Sequence, residues 1–356
     1  MKKIASAGNK GPKIRSDCFV YLELRGSGGL EIQIKSKVKA LFGDSIRKQC
    51  QEVLDFFDIE HGVLKLDDKG ALPHVISARI EAAVRKLVDT EKRFMPEILP
   101  QNTYTTRRDC FRRSRLYLPG NSPKLALNAG IHKPDGIILD LEDSVAPDKK
   151  FEASILVRNT LARVNFYGAE RQVRINQLPL GLQDLEEVIP GRVNLILLPK
   201  CESAAQINQV VDKIEAVKKA EGLDFPVHIM PILESALGII KAWEIATASE
   251  QVAALAIGLE DYTADLGCPR TNEGRESFYA RSTLVNAARA AGIQPIDSVF
   301  SDVSDMEALR KNVETSKSLG FEGMGCIHPR QIRVIHQAFA PSEKEIEKAK
   351  KIVNAF

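Results

Sequence analysis

The stretch VNLILLPKCESAAQINQVVDKIEAVKKAEGLDFPVHIMPILE, residues 193–234, decides the fold. It opens on a short apolar run ending in Pro199-Lys200. It continues with SAAQINQVVDKIEAVKKA, whose Ile207, Val210, Ile214 and Val217 recur at the three-to-four spacing of one helix face. It closes on a second apolar run that ends in Glu234. Strand, helix, strand is the repeating unit of a parallel α/β architecture.

Outward from this unit the same alternation continues. From residue 114 the apolar runs are SRLYLPG, DGIILDLED, RQVRIN, VNLILLPK, FPVHIMPILE, VAALAIGLED, IQPIDSVF and GMGCIHP, with helical segments such as SALGIIKAWEIA and SFYARSTLVNAARAAG between most of them. Eight such alternations over about 240 residues are what a closed (β/α)8 TIM barrel needs. An open doubly wound sheet would carry a glycine fingerprint after its first strand, and none is present. The fold class is therefore α/β, with residues 114–356 as the barrel. Residues 1–90 read as a separate small α+β domain in the order β-β-α-β-α. In it DCFVYLEL and LEIQIKS alternate on either side of Gly26–Gly29 and form a predicted hairpin. The GSGG turn is no dinucleotide loop, because a strand follows it rather than a helix. Residues 91–113 have no clear period and read as a linker. Its RRDCFRR cluster reads either as a phosphate grip or as a solvated basic stretch, the second being the commoner fate of such clusters.

Composition narrows the function. The formal net charge is +3 over 356 residues, so no global field draws nucleic acid or an anionic membrane. No apolar run reaches the roughly 18 residues of a spanning helix, and the start MKKIASAGNKGPK lacks the apolar stretch of a signal peptide. Six scattered cysteines without a CxxC imply reduced thiols and a cytoplasmic protein.

The strand ends carry the chemistry. In GIILDLEDSV, residues 136–145, Asp140, Glu142 and Asp143 arrive within four positions. Arg174 ends the third strand, Glu234 the fifth, Glu260 and Asp261 the sixth, and His328 the eighth. Barrel enzymes build their sites at the C-terminal strand ends, so these acids crowd one mouth and a hard divalent cation resolves their repulsion. Mg2+ takes one or two carboxylates plus waters and substrate oxygens. Glu234 and Asp261, each at the tip of an apolar strand, are expected as direct ligands, with Glu142 and Asp143 holding metal-bound waters. Arg174 is placed to take a substrate carboxylate bidentately. Each has a simpler rival: a helix cap for Glu142 or Asp143, a rim salt bridge for Glu260, an ion pair rather than a Schiff base for Lys200, and a turn rather than a metal ligand for His328.

At these residues the chain resembles a known family. RRSRLYLPGNSP, ILDLEDSVAPDKK, VRIN, LPKCESA, ILESALGI, GLEDYTADLG, YARSTLVNAARAAGIQPID and GCIHPRQI occur in order from about residue 112 to the end. They are similar to the citrate lyase beta subunit and its malyl-CoA lyase relatives. The resemblance implies a metal-dependent barrel in which Glu234 and Asp261 match the metal ligands, Glu142 and Asp143 the water-holding acids, and Arg174 the substrate-carboxylate arginine. VKALFGDSIRKQCQEVL and LDDKGALPHVISARIEAAV resemble the citrate lyase gamma subunit, an acyl carrier. A tethered carrier raises the local concentration of its thioester at the mouth.

Two departures matter. The carrier family bears a phosphoribosyl-dephospho-CoA arm on a serine two residues before an aspartate. In KIRSDCF that aspartate is Asp17, which puts Arg15 at the serine position, with Ser16 next to it and Ser6 farther off. Ser16 is the expected attachment point if the register slips by one; otherwise the domain is a docking module and the barrel takes free CoA thioesters. Many relatives also continue into a segment that delivers an aspartate to a neighbouring subunit, whereas this chain ends in KKIVNAF, which leaves the proton-transfer residue unassigned. The resemblance implies retro-Claisen cleavage of a citryl-type thioester to acetyl thioester and oxaloacetate, or of a malyl-type thioester to a keto acid. Hydrolysis of a malyl-like thioester and a non-catalytic scaffold subunit are the alternatives. It also implies homo-oligomers and association with other citrate lyase subunits.

Overall fold

The computed structural model describes residues 3–271 and 273–355. The small domain opens with a strand that the sequence reading missed, β1 (Ile4–Gly8), whose small residues give little apolar signal. It continues with β2 (Cys18–Leu24), β3 (Leu30–Ser36), α1 (Lys39–Phe56), β4 (Gly62–Asp68) and α2 (Pro73–Arg85). The sheet order is β1-β2-β4-β3. The expected hairpin is therefore not formed. β4 lies between β2 and β3, antiparallel to the first and parallel to the second. The cause is burial: β2 and β3 alternate, whereas β4 buries Gly62, Val63, Leu64, Leu66 and Asp68 and takes a central position. The glycine turn reverses the chain without pairing its flanks.

Residues 91–113 cross the N-terminal end of the barrel. The buried Asn102 side chain donates to the carbonyls of Leu161 (2.9 Å) and Val164 (2.7 Å). In the basic cluster, Arg112 is buried against Glu170 at 2.7 Å and Arg108 donates to the Val252 carbonyl. Those two arginines bind the barrel itself, so the cluster is neither a phosphate grip nor wholly solvated.

The barrel strands are β5 (Ser114–Pro119), β6 (Gly136–Asp140), β7 (Glu170–Arg174), β8 (Leu195–Leu198), β9 (His228–Leu233), β10 (Ala254–Ile257), β11 (Gln294–Asp297) and β12 (Gly323–Cys326). All neighbours are parallel, and β12 pairs with β5 to close the cylinder. Alternation sends Leu116, Ile137, Leu139, Val173 and Ile196 outward against the helices, while Ile138, Leu195, Leu197, Met230 and Ile232 fill the interior.

The two domains share a core. α3 (Lys150–Arg163), the helix after β6, contributes Ile155 and Leu156 to the apolar cluster of α2 and the small sheet. This explains why every residue of α2 from His74 to Val84 is buried: one face meets the sheet and the other meets the barrel. Charges at this contact are paired. Arg79 grips Asp17 at 3.0 and 3.1 Å and reaches Glu152 at 3.4 Å, while Arg158 bridges Glu81 and Glu187.

Candidate metal and substrate site

β6 and β7 end together, with Asp140 directly opposite Arg174 in the register. Arg174 donates from Nε and Nη2 to the two Asp140 oxygens at 2.6 and 2.8 Å. Its Nη1 lies 2.8 Å from Glu142 Oε2, outside hydrogen-bonding geometry, and donates to Asp143 Oδ2 at 3.3 Å. One guanidinium thus serves three acids. Burial pushes the Asp140 carboxyl up, but Arg174 outweighs it and leaves the group below the usual carboxylate range. Glu142 ends above its usual range, because burial outweighs Arg174 there.

The loop after β6 is built from within. Asp140 accepts the amides of Glu142 (3.0 Å) and Ser144 (3.2 Å). Lys150 donates to the carbonyls of Leu141 (3.0 Å) and Glu142 (2.9 Å) and to the Asn176 side chain. Gln177 holds Glu142 Oε1 at 3.0 Å. Neither Glu142 nor Asp143 caps α3, which begins at Lys150 without a side-chain cap.

Glu234 follows β9 directly and is 6% exposed. Its Oε1 accepts the Lys200 amide at 2.7 Å, and a Cβ added at Gly258 would stand 2.4 Å from its Oε2, so only glycine leaves this carboxylate its place. Burial, reinforced by Glu142 and Asp261, pushes its pKa up to about 8. Asp261 does not sit at a strand tip as expected. β10 ends at Ile257, and Asp261 lies in the first turn of the helix Leu259–Leu266, where the helix N-terminus favours an anion. The Lys200 ammonium lies 3.5 Å from Asp261 Oδ2, which makes that lysine an ion-pair partner. Glu260 pairs with Arg270 on the rim, and His328 caps the helix Pro329–Phe339 by accepting the Arg330 amide. Asp140, Asp143, Arg174, Glu234 and Asp261 line one cavity of 660 Å³; Glu142 is not part of that lining and lies behind it against Arg174 Nη1.

These residues fit a hard divalent ion. Glu234, whose pKa burial raises, shares its cavity with Asp261, Asp143 and Asp140, a set of hard oxygen donors of the kind Mg2+ takes. Among the described residues no three acids, histidines or cysteines form a ready cage, which Mg2+ does not need when waters and substrate oxygens complete its shell. Ser16 lies outside the cavity, half-exposed in the turn before β2, with a left-handed backbone (φ 56°). Its loop reaches the mouth side of the barrel, where Asn9 Nδ2 donates to the Asn121 carbonyl at 3.2 Å and to Asp17 at 2.8 Å.

Sequence reasoning gave Asp140 no role. The signal was available, since opposite charges that end adjacent strands face each other. Arg115 and Tyr117 also line the cavity, and nothing in an apolar strand reading singles them out.

A family model described as HpcH/HpaI aldolase/citrate lyase matches residues 113–329, and one described as malonate decarboxylase delta subunit (MdcD) matches residues 5–87. The Haemophilus influenzae citrate lyase subunit beta is 40% identical over 247 residues, covering 68% of this chain and 85% of that protein. The human mitochondrial citramalyl-CoA lyase is 33% identical over 257 residues, covering 69% of this chain and 76% of that protein. The Mycobacterium tuberculosis citrate lyase beta subunit, solved with oxaloacetate and magnesium, superposes with a TM-score of 0.55 at 31% identity, covering 66% of this chain and 99% of that one. With its barrel matched across these residues and a carrier-like domain fused ahead of it, the chain belongs to the HpcH/HpaI aldolase/citrate lyase family.

Proposed function

We propose that this carbon–carbon lyase cleaves a citryl-type thioester, a 3-hydroxy-3-carboxyacyl group, to an acetyl thioester and oxaloacetate. The observation that carries the reading is Glu234, a buried carboxylate at the β9 tip that shares one cavity with Asp261 and Arg174. Relatives named for citrate, citramalyl-CoA and malyl-CoA cleavage support it, as does a relative solved with magnesium, acetoacetate and coenzyme A.

Glu234 and Asp261 would hold Mg2+, with Glu142 and Asp143 against its waters. When bound, the ion lowers the pKa of the substrate hydroxyl and polarises the oxygen of the forming ketone. The protein's own residues set the geometry. Asp140 fixes the Arg174 plane and occupies its Nε–Nη2 edge through two hydrogen bonds, so Arg174 would offer a substrate carboxylate Nη1 rather than the bidentate grip expected from the sequence. Lys150 and Gln177 fix the Glu142 loop. In the reaction the hydroxyl loses its proton, the bond between the carbinol carbon and the thioester α-carbon breaks, and its electron pair passes into the thioester enolate. One proton then returns to that carbon. Ser16 is the proposed attachment point of a phosphoribosyl-dephospho-CoA arm, on a loop already against the mouth side through Asn9 and Asn121. A homo-oligomer, alone or with other citrate lyase subunits, is the proposed assembly.

The test is product analysis with Mg2+ and citryl-CoA. Oxaloacetate must appear in step with acetyl-CoA. Citrate with free CoA would mean hydrolysis and would end the lyase reading. The intact mass of protein from its native host decides between an arm on Ser16 and free CoA substrates.

A further inference from the structure

Beneath the acids, the barrel interior holds a cation without a counterion. On β5, Leu116 and Leu118 face the helices, while Arg115 and Tyr117 face the interior. Arg115 is 1% exposed. Its Nη1 donates to the Met230 sulfur at 3.0 Å, its Nε has no partner, and no carboxylate pairs with it among the described residues. The apolar side chains of Ile232 and Ala256 line the cavity with it. A guanidinium does not shed its proton in a protein, so the charge stays buried and unpaired, an arrangement that is costly unless a ligand completes it.

The position says which ligand. Tyr117 stands between this cation and the acids. Its hydroxyl is held above its usual pKa by burial, against the opposing pull of Arg115 and then Arg174, with Asp140 and Glu234 next in influence. Arg174 also lies over the Tyr117 ring, 5.5 Å from its centroid. Arg115 and Tyr117 line the same cavity as Glu234, Asp261 and Arg174, so a substrate with its hydroxy-acid end at the acids has room to extend past Tyr117 toward Arg115. A methyl or hydrogen at that end would leave the cation bare, whereas a carboxylate would satisfy it bidentately.

We propose that Arg115, assisted by the Tyr117 hydroxyl, forms a specificity-determining subsite for a second carboxylate of the substrate, so that the keto acid released is a dicarboxylate rather than a monocarboxylate. This rests on the lyase reading above and narrows its substrate class. A site built to bond a polar group rejects analogues lacking it far more strongly than an apolar pocket discriminates by size.

The competing arrangement is purely structural. The Gln172 side-chain oxygen, also buried and without a partner, faces the same interior from β7, and a water between it and Arg115 would make both part of the barrel core. The experiment uses the full chain with Mg2+, and calorimetry compares oxaloacetate with pyruvate before any turnover is measured. The intact protein is expected to bind oxaloacetate more tightly, and R115M to lose roughly 100-fold of that affinity while its pyruvate affinity stays within about threefold. R115K is expected to recover part of the loss, and kcat/KM on citryl-CoA relative to citramalyl-CoA is expected to fall with R115M in the same proportion. Equal loss for both keto acids, or no loss for either, overturns the proposal in favour of the structural arrangement. So does an intact protein that prefers pyruvate, a result that needs no variant to fold. Selective binding without cleavage of either thioester would instead keep the subsite and remove the lyase reading.

Discussion

The contact between α2 and α3 and the mouth of the barrel both bury acids, and they treat them in opposite ways. At the contact, Glu152 receives the Gly8 amide, Arg79, Lys86 and Lys149, and Glu187 receives Arg158 and Arg85. Burial raises both carboxyls and the neighbouring cations outweigh it, so both end below their usual range. At the mouth, Glu234 has one backbone amide and is pushed up to about 8. Well-compensated acids hold two domains together, and the less compensated acid at the mouth is the proposed metal ligand.

The largest effect that tests this contrast is at Glu234. Glu234→Gln removes the proposed ligand without removing volume. Magnesium-dependent cleavage is expected to drop to background and the calorimetric Mg2+ signal to vanish. The melting temperature should hold or rise, because a group costly to ionise has been removed. A Glu234→Gln protein that still binds Mg2+ with unchanged affinity would show that the uncompensated charge has another purpose.

Arg158→Met is the matching break at the contact. It leaves Glu81 and Glu187 buried with their main partner gone, and removing one member of such a network costs about 3–5 kcal/mol. Denaturant unfolding should show the loss, while Mg2+ affinity of the folded fraction should change little. If Mg2+ binding falls in proportion to stability, the two regions are one unit and the contrast between them fails.

His74 gives the contact a pH dependence. It sits at the start of α2, and burial, with Arg163 adding to it, holds its imidazole down to about 4. Between pH 6.5 and 4 the unfolded chain therefore binds a proton that the folded chain refuses. Stability from this residue is complete above 6.5 and is lost as pH falls toward 4, by about 3 kcal/mol in all. His74→Leu should flatten that part of the pH–stability curve, which thermal melts across the range will show.

The two regions also differ in how far the sequence discloses them. The barrel was legible because its strands, buried on both faces, stand out as short apolar runs, and its acids because they follow those runs directly. Asp261 was placed one element too early, since a helix that begins at Leu259 looks like a strand continuing into its end. The sheet order of the small domain was not legible. Pairing there is settled by which strand buries both faces, and the turn residues between β2 and β3 carry no information on that. The contact itself left a subtler mark. Arg79, Glu81, Glu152 and Arg158 lie on two helices that pack face to face, but a charge on a helix reads as solvent-facing until its partner is known.

Lys150 joins the two regions, and its effect is the smallest and the most telling. It is the first residue of α3, one position after Lys149, which donates to the Gly8 carbonyl and pairs with Glu152. Its own ammonium holds the carbonyls of Leu141 and Glu142 and the Asn176 side chain. The first turn of α3 is thus fixed on one side by the small domain and fixes the acidic loop on the other. Lys150→Met keeps the aliphatic stem, and loss of such outer support is expected to lower Mg2+ affinity about tenfold with little change in melting temperature. Glu152→Gln, distant from the ion, should lower it less. If docking sets the loop through this turn, the double variant should show the effect of Lys150→Met alone rather than the product of the two, a coupling that a double-mutant cycle reads directly. Independent effects would mean that the loop is held by Asp140 and Gln177 and that the fused domain has no hold on the site.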